Sequence, residues 1–177
     1  MKRRGSGSKQ KGGQFERQVC KQLSLWMSRG MHDDWFWRSA MSGGRATVQR
    51  SKGKRNQTQV GDVSAIHPQG ARLTDVFVIE CKNVKDLALH GLFFDPPYGA
   101  LVDYWRELCK VAGDKSPMLI ARQNFFSSDE ALVCVDSFGA GELNPTLTVR
   151  GEHLHLRAGL DMYVFQLGYV LKYGRRP

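Results

Sequence analysis

The stretch DVFVIECKN, Asp75 to Asn83, decides how the chain reads. Val76, Phe77, Val78 and Ile79 have the composition of a buried strand. They run directly into Glu80, Cys81, Lys82 and Asn83. In a strand, residues two apart share a face. Glu80 and Lys82 therefore lie on one face, and Phe77, Ile79 and Cys81 on the other. A core strand that ends in a carboxylate and an ammonium on the same face calls for a reason beyond packing.

Upstream, VGDVSAIHP reads as a strand stopped by Pro68, with Asp62 at its head. QGARL reads as a hairpin turn between the two strands. Antiparallel pairing through that turn brings Asp62 beside Glu80. Two carboxylates at close range repel unless a positive charge sits between them. A hard divalent cation such as Mg²⁺ takes a few oxygens plus water, with Mn²⁺ its expected substitute. Lys82 then stands next to a water on that ion and to any phosphate bound there. It can orient the water, help it lose a proton, or stabilise charge on phosphoryl oxygens. An isolated E-x-K or Gly-Asp is most often an exposed coincidence, so order and context carry the weight. Both lie between a helix carrying Glu16 and a later Trp-bearing helix, just after an acid-free basic segment.

The flanking elements follow from periodicity. GQFERQVCKQLSLWMSRG places Phe15, Val19, Leu23, Trp26 and Met27 at helical spacing, with Gly30 as a stop. DWFWRSAMSGG reads as a strand from about Trp35 to Ala40, then a Gly turn. In DPPYGALVDYWRELCKVAGDK, Pro96 and Pro97 suit a helix entry. Leu101, Tyr104, Trp105, Leu108 and Val111 or Ala112 form one apolar face, ended by Gly113. SPMLIARQN is a compact strand, and ALVCVDSF and LTVRGEHLHLR alternate as two more. MYVFQLGYVLKYG admits a strand and then a turn of helix, a choice the sequence leaves open. The order α-β-β-β-α-β, with extra C-terminal β elements, predicts an α/β or α+β chain with a mixed central sheet flanked by helices.

The charge is unevenly placed. The chain has 177 residues and a net charge of +9. Residues 1–12 carry Lys2, Arg3, Arg4, Lys9 and Lys11; residues 42–59 carry Arg45, Arg50, Lys52, Lys54 and Arg55; neither segment holds an acid. Without these ten, 16 basic residues face 17 acidic ones, so the body is nearly neutral. Two basic arms on a neutral body fit a polyanion, because each Lys or Arg meeting a phosphate releases counterions. Residues 1–12 are expected as a flexible tail and 43–60 as a flexible loop within one domain, 13–177. No apolar run approaches the roughly 20 residues of a bilayer span, and the basic start lacks the apolar stretch of a secretory signal. A soluble, cytoplasmic chain is the expectation. Cys20, Cys81, Cys109 and Cys134 form no C-x-x-C pair, match no zinc or iron–sulfur spacing, and are expected as buried, reduced thiols. Trp35, Trp37 and Trp105 are expected in the core rather than as stacking platforms.

Together, GGQFERQVCKQLSLW, FWRSAMSGG, GDVSAI and VFVIECKN resemble the PD-(D/E)xK nuclease superfamily. Within it, they look most like the archaeal-type Holliday junction resolvases. That family's G-x-x-x-E-R helix matches Gly12 or Gly13, Glu16 and Arg17. Its strand ending in Arg before a Ser-Gly turn matches Arg38 and Ser42–Gly43. Its Asp strand matches Asp62, and its E-x-K strand matches Glu80 and Lys82. The resemblance runs from about Phe15 to Asn124 and implies a restriction-endonuclease-like core. It implies metal binding by Asp62 and Glu80, with the Cys81 backbone carbonyl as a third ligand. It implies Lys82 as the catalytic lysine, Glu16 reaching the metal through water, and Ser42 on the scissile phosphate.

The implied activity is Mg²⁺-dependent phosphodiester hydrolysis in DNA, expected in branched duplex such as a four-way junction, where a homodimer suits the two-fold symmetry. Arg38, Arg45, Arg50, Lys52, Lys54 and Arg55 are the expected backbone contacts, reading shape rather than bases. Two rival readings remain: a nuclease of linear, flap or single-stranded DNA, and an inactive DNA-binding module of the same fold. The sequence departs from the pattern at Gly61, where Pro is usual. It also departs in the long loop 43–60, in the insert DLALHGLFFDPPYGA, and in the last fifty residues, which have no counterpart. These departures bear on the substrate.

Overall fold

A computed structural model describes residues 6–39, 60–144, 154–156 and 160–177. Helix α1 (Ser6–Met27) is followed by the short strands β1 (Phe36–Arg38) and β2 (Val63–Ala65). Then come α2 (Pro68–Val76), β3 (Phe77–Val84), α3 (Ala100–Ala112) and β4 (Ser116–Gln123). β5 (Leu132–Val135), α4 (Ser137–Leu143), β6 (Leu154–Leu156), β7 (Met162–Gln166) and α5 (Leu167–Tyr173) complete the order. β1 and β2 form an antiparallel ribbon. The other strands form one mixed sheet, β3-β4-β5-β7-β6, in which β3 and β4 are parallel and the remaining pairs antiparallel. The α/β, restriction-endonuclease-like expectation is thereby met.

Strand alternation divides the core into two layers. Phe77, Ile79 and Cys81 of β3, Met118 and Ile120 of β4, and Val133 and Val135 of β5 join Phe15, Val19, Leu23 and Trp26 of α1. Val78, Leu119 and Cys134 point the other way and pack with Leu101, Trp105 and Leu108 of α3. Each helix thus buries the apolar stripe read from its spacing. α3 crosses between the parallel strands β3 and β4, which no tight hairpin can join.

Five local expectations are corrected. QGARL is not a turn but part of α2, because Pro68 occupies the first helical turn and His67 Nδ1 accepts from the Gln69 N–H as its cap. Pro96 and Pro97 stand ahead of α3 rather than in it: Gly99 caps the helix, and the insert winds into a 3₁₀ turn over Leu89–Phe93. α1 starts at Ser6, so residues 6–12 of the expected tail are helical. Tertiary contacts hold that end, since Asn83 Nδ2 donates to Lys11 O at 3.4 Å and Arg38 lies over Gly13. Trp37 is 60% exposed, since none of the described residues covers the outer face of the β1–β2 ribbon there, while Trp35 and Trp105 are buried. Cys109 is exposed on α3, whereas Cys20, Cys81 and Cys134 are buried; all four are free thiols.

Candidate active site

β3 is the outermost strand of the main sheet, and the residues before β2 run along its open side. The Asp62 N–H donates to Ile79 O at 2.7 Å, and the Cys81 N–H donates to Asp62 Oδ2 at 2.9 Å. The Ser39 N–H closes the other side of the clamp, donating to Asp62 O at 2.8 Å. Gly61 makes this approach possible. Its φ is +96°, and a Cβ there would meet Ile79 O at 2.7 Å. Proline, fixed near φ −65°, is incompatible with that backbone, so the usual Pro is replaced for a steric reason.

Asp62 is 7% exposed. Burial, then the charge of Glu80, pushes its carboxyl up to about 7. The Cys81 N–H opposes this, Glu16 adds to it, and Lys82 draws it back. Glu80 and Lys82 share a face of β3 as the alternation requires, with Lys82 Nζ 2.6 Å from Glu80 Oε1. The ammonium also lies 5.4 Å from the Tyr104 ring centre on α3. Burial works against the charge on Lys82. Glu80, by its charge and its hydrogen bond, outweighs that, and Asp62 adds, so the amine is held above the ordinary lysine range.

Glu16 reaches the same neighbourhood from α1. Its Oε2 lies 2.6 Å from Arg38 Nε at the end of β1. Gly13 sits one turn earlier on the same helix face. A Cβ there would stand 3.1 Å from Arg38 Nη1, so the glycine is the notch through which Arg38 passes to Glu16. The spacing of glycine and acid on the helix therefore has a packing cause. Arg38, expected on DNA, pairs with Glu16 in this structure.

The acids Glu16, Asp62 and Glu80, with Lys82, are thus gathered where the helix, the ribbon and the sheet edge meet. Residues 7–150 match the model of the family described as "Phage putative PDDEXK endonuclease". The chain belongs to that family. Membership makes it a nuclease of the PD-(D/E)xK superfamily and implies DNA as its substrate. No curated protein and no solved structure matches the chain.

Nucleases of this superfamily generally use divalent metals, and the donor set fits one. Three carboxylates and no imidazole bear on one another here, and oxygens alone suit a hard cation. Burial first, and then the charge of Glu80, raises the Asp62 carboxyl, and a cation there would offset both. The N–H and C=O of one strand residue leave on the same side. The Cys81 carbonyl therefore faces the edge where its N–H meets Asp62, while its thiol packs inward. Among the described residues, no three acidic, His or Cys side chains are grouped closely enough to grip an ion as they stand; Lys82 and Arg38 draw Glu80 and Glu16 to themselves. Ser42, Arg45, Arg50, Lys52, Lys54 and Arg55 lie outside the described residues. Two contacts escaped the sequence reading. Tyr104 was legible only as helix stripe, and Ser39 only as strand. Among the described residues, no helix is long and apolar enough to cross a membrane.

Proposed function

We propose that this family member is a metal-dependent endonuclease that hydrolyses phosphodiester bonds in branched DNA. Asp62, Glu80 and the Cys81 carbonyl hold the cation, Mg²⁺ with Mn²⁺ as substitute. When bound, the ion supplies Lewis-acid charge to the scissile phosphate and lowers the pKa of the attacking water. The observation that carries the reading is the Cys81 N–H bond to Asp62 Oδ2, which fixes an acid from one strand against the E-x-K of another.

Lys82 has a defined part. Its pair with Glu80 holds the amine above the ordinary lysine range. It serves as a fixed positive charge beside the phosphoryl oxygens, where charge develops as the bond breaks. Arg38 keeps Glu16 turned inward towards Asp62. Ser42 contacts the scissile phosphate. Arg45, Arg50, Lys52, Lys54 and Arg55 hold the backbone of the duplex, so binding weakens as salt rises. A two-fold junction needs two paired cuts, which a homodimer supplies. The setting is recombination or repair of DNA in the cytoplasm of a phage-infected cell.

The test is a labelled four-way junction beside linear duplex of the same sequence, each with Mg²⁺, with Mn²⁺ and with chelator. Metal-dependent cutting that favours the junction is expected. The Glu80→Ala variant should bind the junction as the parent does and cut nothing. If Glu80→Ala cuts as fast as the parent, the site is misassigned. Equal cutting of linear duplex instead favours a nuclease of linear, flap or single-stranded DNA.

A further inference from the structure

Phe125 combines two unfavourable features. It stands at φ +73°, a conformation in which a bulky side chain is strained, and its side chain is fully exposed. Packing gains nothing from it. Strain that the surrounding structure enforces, on a side chain that buries nothing, points to a use outside the fold.

Its position narrows that use. β3 and β4 are parallel, so their chains leave the sheet at the same end, and Lys82 stands opposite Ala121. The Asn124 N–H donates to Val84 O at 3.0 Å, and the Phe126 N–H donates to Gln123 O at 3.2 Å. The tip is thus fastened to the strand that carries Glu80 and Lys82. Phe125 lies four residues past Ala121, at most about 13 Å along the strand direction. Lys85 is exposed at the end of β3. Arg122, on β4 just before Phe125, lies 4.5 Å from the Phe15 ring centre. The insert leaving β3 here is pinned to β4 by Leu87 N–H and Gln123 Oε1, 3.1 Å apart, and carries the exposed rings Phe93, Phe94 and Tyr98.

An exposed ring on a tip fastened by backbone hydrogen bonds is a surface on which unpaired bases stack, since every base has a π-face. We infer that Phe125 is a stacking residue for an unstacked base of DNA at a branch point, set beside the hydrolytic site. This rests on the nuclease reading above and sharpens its substrate. At 3.4 Å per nucleotide, the run from Ala121 to Phe125 corresponds to about four nucleotides, so a cut close to the branch is expected.

The experiment uses the full chain and a four-way junction carrying 2-aminopurine at the branch. In chelator, the parent should quench the probe, Phe125→Ala should lose most of that quenching, and Phe125→Trp should restore it. With Mg²⁺, Phe125→Ala should cut the junction about tenfold more slowly and linear duplex at the parent rate. A parent that cuts with metal while Phe125→Ala quenches equally overturns the inference and leaves the nuclease reading standing. Phe125-dependent quenching by a parent that cuts nothing retains the stacking and sinks the nuclease reading. Unchanged quenching with altered sedimentation of the DNA-free protein makes Phe125 a contact between copies and overturns the inference.

Discussion

The two halves of β3 are solved by opposite means. From Phe77 to Ile79 the strand is buried on both faces, between α1 on one side and α3 on the other. From Glu80 to Val84 the core runs out, and every residue except Cys81 is half-buried. The first half is held by apolar area. The second is held by an ion pair, a ring and a bond to Asp62. The first half can be exchanged only for side chains of similar volume. The second concentrates charge that adds little to stability and is free for chemistry.

Substitutions in the two halves test that division, and the largest effect comes first. Lys82→Ala should lower cleavage by about a thousandfold while changing unfolding free energy by less than about 1 kcal/mol, because its pair with Glu80 is partly solvated. Ile79→Ala should cost about 2–5 kcal/mol by opening a cavity in the core. Its cleavage rate per folded molecule should fall far less. Denaturant titration and single-turnover cleavage on both variants measure the contrast. A Lys82→Ala variant that melts like Ile79→Ala would erase it.

The junction of the halves is more delicate. Gly61→Pro brings the chain closer to the usual superfamily motif, yet should destabilise it by about 3 kcal/mol. The residue must sit at φ +96° against Ile79 O. Improved stability or faster cleavage would show that the clamp tolerates another backbone.

The remaining effect is electrostatic. The folded Asp62 carboxyl is raised to about 7 from an ordinary 3.8. A raised acid contributes stability that is complete below its unfolded pKa and is lost as pH rises through its folded one. In chelator, the parent should therefore lose stability between about pH 4 and pH 7. Asp62→Asn, which still accepts from Cys81, should lose less over that range. Melting curves across it check the sign, and parallel pH profiles would remove the repulsion from Asp62.

Much of this was readable before folding. The faces of β3 and the stripes of α1 and α3 follow from period alone, and the sequence order placed Asp62 near Glu80. The route was misread. A nine-residue helix, not a hairpin turn, joins the two strands. Pro68 ends a strand and starts a helix with equal ease, and only the His67 cap separates the two. The Arg38–Glu16 pair left no local signal, because the two residues are 22 apart in the chain. No local signal marks Trp37 as exposed, since a strand with one covered neighbour and a strand in a sheet share one composition.

The clamp at Gly61 and Asp62 also guards the rim of the sheet. β3 is an edge strand, and an uncovered edge offers unpaired N–H and C=O groups to any neighbouring chain. Asp62 occupies two of those positions, one with its amide and one with its carboxylate. Truncating it to alanine would disable the site and free the Cys81 N–H at the rim, leaving only the backbone bond to Ile79 O and inviting strand-to-strand aggregation. An inactive Asp62→Ala preparation would therefore mix lost chemistry with lost solubility, and Asp62→Asn separates them.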